Sequence, residues 1–151
     1  MRQFAGLLAA MILGAGMSLS SGPALAEDVT EVGFTKRVHS AIEGQSIRFV
    51  VKKTGSGEAL VDYKFGHANV NLDQNATRGK DFLGVDGELY FGPDDTEKTI
   101  TVQTRPDNEF DEEAETFSIT LSIATGGDAG SLRLGRYRAA VGAILNCAAA
   151  C

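Results

Sequence analysis

The nine residues Glu115-Thr116-Phe117-Ser118-Ile119-Thr120-Leu121-Ser122-Ile123 place a large apolar side chain at every second position, with hydroxyls or Glu elsewhere. Successive side chains of an extended chain point to opposite faces, so the run reads as a β-strand with one buried and one wet face. The same period of two recurs in Ile47, Phe49, Val51; in Val61, Tyr63, Phe65; in Leu89, Phe91; in Ile100, Val102; and in Ala139, Val141, Ala143, Leu145. With one more strand through Phe34 to Val38, about seven strands are expected. Turn signals such as Thr54-Gly55-Ser56-Gly57, Phe91-Gly92-Pro93-Asp94-Asp95 and Thr125-Gly126-Gly127-Asp128 separate them.

Short strands with no amphipathic helix between them predict an all-β fold, an antiparallel two-sheet sandwich with Greek-key, immunoglobulin-like connections. Parallel α/β architectures are excluded, and 151 residues leave no room for a multi-domain enzyme. The two cysteines, Cys147 and Cys151, both lie at the C-terminus, so the fold rests on a hydrophobic core and not on a disulfide framework. These cysteines could close a small loop, pair between molecules, or stay as thiols.

The N-terminus has its own signature. Met1-Arg2 precedes an apolar run from Phe4 to Met17, and Ala24-Leu25-Ala26 stands before Glu27-Asp28. Residues 1–26 therefore read as a signal peptide cleaved after Ala26, because Ser, Gly and Pro interrupt the run short of a membrane span. The expected organisation is a leader (1–26), one sandwich domain (27–146) and a short tail (147–151). The product would be secreted or periplasmic, without stable membrane insertion. Loss of the leader removes only Arg2 and shifts the net charge from −6 to −7, which argues against nucleic acid as a partner.

The chemistry concentrates in Asp107-Asn108-Glu109-Phe110-Asp111-Glu112-Glu113-Ala114-Glu115, where no Lys or Arg interrupts six carboxylates. Like charges in contact repel by about 1 kcal/mol in water and severalfold more near a protein surface. Convergence would require a bound cation or protonation, whereas a solvated loop whose charges point apart would require neither. The run enters the strongest strand directly, which favours a fixed site. All its donors are oxygens, and such a set selects Ca²⁺ ahead of Mg²⁺ and disfavours zinc. His39 and His67 lack ligand spacing and read as packing or surface residues. The Asn69–Gly87 stretch is a long connection holding Asp73, Asp81 and Asp86, of the kind that often carries function. Asp81 also suits a turn in which its carboxylate accepts backbone N–H bonds. Asn75-Ala76-Thr77 is a formal glycosylation sequon. No nucleophile elbow or phosphate-binding loop is present in the sequence.

Four elements, in order, resemble the Calx-beta domain family. Glu43-Gly44 precedes the strand at Ile47. Ala76-Thr77-Arg78-Gly79-Lys80-Asp81-Phe82 is similar to the family's Ala-x-x-Gly-x-Asp-Tyr/Phe element. Gly87-Glu88-Leu89-Tyr90-Phe91-Gly92-Pro93 resembles its Gly-x-Leu-x-Phe-x-Pro strand, and Asp107-Asn108 followed by Glu112-Glu113-Ala114-Glu115-Thr116-Phe117 resembles its most diagnostic stretch. The resemblance covers about Val32 to Leu145. It implies a non-enzymatic calcium-binding sandwich with metal ligands from Glu43, Asp81, Asp107, Asn108, Glu112 and Glu115, and loops offered to a protein or cell-surface polysaccharide partner, as in adhesion. One departure weakens the expected site. Calcium-competent members commonly end the last strand in consecutive aspartates, and here Ala143-Ile144-Leu145 runs into Asn146-Cys147. Fewer ligands and less charge imply weak Ca²⁺ affinity. The alternatives are a metal-independent structural or adhesive module and, less consistent with the residues, a hydrolase using Asp81 or Glu112 with a metal-activated water.

Overall fold

A computed structural model describes residues 29–68, 75–107, 114–124 and 131–146. The leader, Asn108, Glu112, Cys147 and Cys151 lie outside the described residues, so the expectations placed on them are not addressed by the structure. Within it, ten strands form: β1 (Thr30–Phe34), β2 (Val38–Ile42), β3 (Ser46–Thr54), β4 (Ala59–His67), β5 (Phe82–Leu83), β6 (Gly87–Phe91), β7 (Glu97–Thr104), β8 (Glu115–Ile123), β9 (Leu132–Leu134) and β10 (Ala139–Leu145). They stack as two five-stranded sheets, β5-β7-β3-β1-β9 and β2-β10-β8-β4-β6. The all-β sandwich expected from the alternation is the observed architecture.

Two details differ from the sequence reading. No strand runs through Phe34 to Val38. Instead β1 ends at Phe34 in one sheet, and the chain crosses at Thr35–Arg37 to begin β2 in the other. Alternation fails there because Phe34, Lys36 and Val38 share one parity, yet Phe34 is buried while Lys36 and Val38 are exposed. The pairing is also not wholly antiparallel. Strand β1 runs parallel to β9, and β2 parallel to β10. The added strands β5 and β9 are too short for periodicity to reveal.

The core is aromatic at its centre. Phe117 on β8 is fully buried, stacks on Phe82 at 4.0 Å and 13°, and meets Phe49 at 5.9 Å and Phe65 at 5.8 Å. Gly142 on β10 sits opposite Phe117, and a Cβ there would run into the Phe117 ring. Gly142→Ala is therefore expected to destabilise the domain by about 1–3 kcal/mol through overpacking, read as a lowered thermal midpoint. His39 fills the core edge beside Phe49, with ring centroids 4.7 Å apart, and burial lowers its pKa. That environment matches a packing role.

Each end of the sandwich handles charge differently. At one, the buried Lys53 ammonium donates to the carbonyls of Gly55 (3.3 Å), Gly57 (2.8 Å) and Pro93 (2.8 Å), joining the turn after β3 to the turn after β6. At the other, the ends of β2, β7 and β10 meet the start of β8. That second end carries Glu43, Asp81, Asp107 and Glu115.

A candidate cation site at the acidic pole

Four of the six expected ligands fall within the described residues, and each is held by a local device. Glu43 follows β2 in a tight turn. Its N–H donates to Leu145 O (3.0 Å), Gln45 N–H returns to Ile42 O (3.0 Å), and Gly44 adopts φ +77°, a left-handed conformation that favours glycine. Thr104 locks the turn to β7, its N–H and hydroxyl both donating to Gln45 O, at 3.0 and 2.6 Å.

Asp81 closes the turn before β5. Asp81 and Lys80 donate their N–H groups to Thr77 O, at 2.9 and 3.1 Å, and Asp81 Oδ2 accepts the Thr77 N–H at 2.7 Å. This is the turn role that the residue type allowed, and it engages one carboxylate oxygen. The other, Oδ1, lies 3.5 Å from Lys80 Nζ. The Asp81 carbonyl accepts Arg105 N–H at 2.8 Å, which ties the turn to the segment leading from β7 to Asp107. On the far side, Ala76 N–H donates to Thr116 O at 2.9 Å, so the same turn is fastened to the first residues of β8.

Glu115 stands where these elements meet. It opens β8 and shares the parity of Phe117 and Ile119, so it points inward and is only 7% exposed. Burial pushes its carboxyl up to about 7, and the nearby carboxylates of Asp81, Asp107 and Glu43 add to the rise. Lys80 opposes it. A carboxyl so placed favours its protonated form, or a neighbouring positive charge. Residues far apart in sequence thus act electrostatically on one group at one end of the fold.

The donor chemistry fits a hard cation, since the four groups are all carboxylates and one of them is buried with its charge disfavoured. Among the described residues, no group of three or more Asp, Glu, His or Cys is close enough to hold a metal. Residues 43, 81 and 107 therefore act on Glu115 through their charges, and these four do not by themselves form a metal-holding group. Sequence reading missed Lys80 and Arg105, which bring cations to the same pole. Lys80 adjoins Asp81 in sequence, but adjacency alone does not disclose an ion pair.

The chain matches the Calx-beta domain family over residues 26–144. It is a member of that family. Calx-beta domains are calcium-binding β-sandwich modules. Two similar solved structures support the assignment. The apo form of the Calx CBD1 domain is 25% identical, with a TM-score of 0.63 over 79% of this chain and 98% of that one. The calcium binding domain CBD12 of CALX1.1 is 25% identical, with a TM-score of 0.62 over 78% of this chain. This Calx-beta chain spans 44% of that second protein. Comparison with curated proteins gave no match.

Proposed function

We propose that this Calx-beta domain binds Ca²⁺ weakly at its acidic pole, and that the bound state holds the Asp81 turn, the Glu43 turn and the start of β8 together. Glu43, Asp81, Asp107 and Glu115 would hold the ion with Asn108 and Glu112 from the adjoining segment. The observation that carries this reading is the burial of the Glu115 carboxyl, only 7% exposed, where Asp81, Asp107 and Glu43 act on it together. When bound, calcium supplies positive charge that offsets this repulsion. Asp81 keeps one oxygen on the Thr77 N–H, which fixes the carboxylate in place, and leaves the other for the ion in exchange for Lys80. Asn146 in place of an acidic residue keeps the affinity at the weak end, on the order of 10⁻⁴–10⁻³ M for extracellular modules. Export through the 1–26 leader and presentation of the ordered loops to a protein or surface polysaccharide complete the proposal, with no catalytic role for the domain.

A second reading is a metal-independent adhesive sandwich in which Lys80 is the permanent counter-charge. The Lys80–Asp81 contact favours it. Scanning calorimetry with calcium and with EDTA separates the two. The first reading expects the unfolding midpoint to rise by several degrees at millimolar calcium, since a ligand at ten times its Kd adds about 1.4 kcal/mol. An unchanged midpoint would leave the second.

A further inference from the structure

Arginines gather on one flank of this acidic chain. There β1 gives way to β2 and β9 to β10, and backbone bonds lace the two crossings together. Phe34 N–H donates to Tyr137 O (2.8 Å), Gly135 N–H to Val32 O (2.9 Å) and Val141 N–H to Arg37 O (2.7 Å). Leu121 N–H donates to Arg138 O (2.8 Å), which fixes the second crossing to β8. Arg37, Arg136 and Arg138 stand exposed on this rigid scaffold, and with Tyr137 and Ala139 they line a hollow of about 330 Å³. Arg136 lies over the Tyr137 ring, 5.4 Å from its centroid, so its guanidinium is held against the wall.

A second hollow of about 260 Å³ continues from the first, sharing Arg37 and Ala139 with it. Its floor is the outer face of two inner strands, where Ser118 and Thr120 of β8 lie opposite Val141 and Ala139 of β10. Other basic side chains are matched: Lys52 with Glu97, Arg78 with Asp86, Lys80 with Asp81 and Lys98 with Asp95. Among the described residues no Asp or Glu lines either hollow, and none forms an ion pair with the three arginines. Neighbouring guanidiniums without a counter-charge repel one another, and an anion between them relieves that repulsion.

We infer that this groove binds an anionic oligosaccharide segment, its acid groups on Arg37, Arg136 and Arg138 and its sugar hydroxyls on Ser118 and Thr120. The planar guanidinium fork matches a carboxylate through two parallel bonds. Hydroxyl side chains both donate and accept, as sugar hydroxyls require. An acidic peptide fits less well, because β8 and β10 are each paired on both sides and leave no backbone groups for an added strand. Arg37 precedes β2 and Glu43 follows it, about 20 Å away along an extended chain, so the groove is separate from the acidic pole. The inference rests on the polysaccharide partner of the functional reading and not on its calcium site.

Titration calorimetry of the chain with hexagalacturonate in EDTA tests it, since chelation removes any contribution from bound calcium. The wild-type chain is expected to bind, and to bind more weakly as salt is added. Arg37→Gln and Arg138→Gln should each raise Kd about threefold to tenfold. Ala139→Glu, which sets a carboxylate where the two hollows join, should abolish binding. Thermal midpoints should stay near wild type, because all three side chains are exposed. Arg48→Gln removes an exposed arginine that lines neither hollow and should leave Kd unchanged. Neutral maltohexaose and a hexaglutamate peptide should each bind more weakly by about tenfold or more. No binding by the wild-type chain, equal losses from Arg48→Gln and Arg37→Gln, or a peptide or neutral sugar that binds as tightly as hexagalacturonate would each overturn the inference. A thermal midpoint that ignores calcium would overturn the calcium reading and leave this one standing.

Discussion

Glu115→Gln is expected to weaken calcium binding on the order of a hundredfold, and yet to make the calcium-free domain more stable at pH 8. The two effects share one cause. In the native state the Glu115 carboxyl is raised from 4.5 to about 7, so the folded chain retains a proton that the unfolded chain releases between those values. Stability from this group is greatest below pH 4.5, declines as pH rises to about 7, and is level above that. A rise of this size corresponds to at most about 3 kcal/mol. Glu115 lies at the end of the sandwich beside the half-buried Glu43 and Asp107, so solvent screening leaves about 1–2 kcal/mol. Glutamine fills the same space without the charge and removes that decline, together with one ligand. Urea unfolding of both proteins in EDTA at pH 5 and pH 8 measures the first effect, and calcium titration calorimetry the second. Identical pH slopes would show that the ionisation of Glu115 is not opposed by its neighbours.

Phe117→Ala is expected to cost about 3–5 kcal/mol, enough to unfold much of the population of a marginally stable domain. Phe117 is fully buried, and its ring packs on Phe82 of the Asp81 turn and on Phe49 of the opposing sheet. The stack on Phe82 couples packing to the site, because Phe82 directly follows Asp81 and Phe117 lies two residues beyond Glu115 on the same face. Any folded fraction of the variant should therefore bind calcium less well, with a smaller calcium-induced rise in midpoint. A loss below about 1 kcal/mol in urea would mean that the aromatic cluster collapses around the gap and does not organise the core.

Much of this was legible from period and order alone. The run after Glu115 disclosed a strand, and its recurrence disclosed a sandwich. The crossing at Thr35–Arg37 was not legible, since a chain that changes sheets can keep local alternation on either side while exchanging its inward parity. The outline of the site was readable from the crowding of carboxylates. Its pivot is harder to read, because residue type marks Glu115 as a solvated position while its parity is that of Phe117, Ile119 and Leu121. A carboxylate in phase with three core side chains is itself a signal of strained ionisation. Lys80 and Arg105 escaped notice for a different reason. Their roles depend on where two loops meet, and no local spacing encodes that meeting.

The Lys53 ammonium bears on how such a molecule answers a change in its salts. Three carbonyls hold it as they would a metal, but it is tethered to the chain and cannot be washed out by a chelator or exchanged for another ion. If calcium binds as proposed, its depletion would act on the acidic pole and leave the Lys53 end closed. A domain so built would respond to its medium from one side, like a clasp with a fixed hinge and a releasable catch.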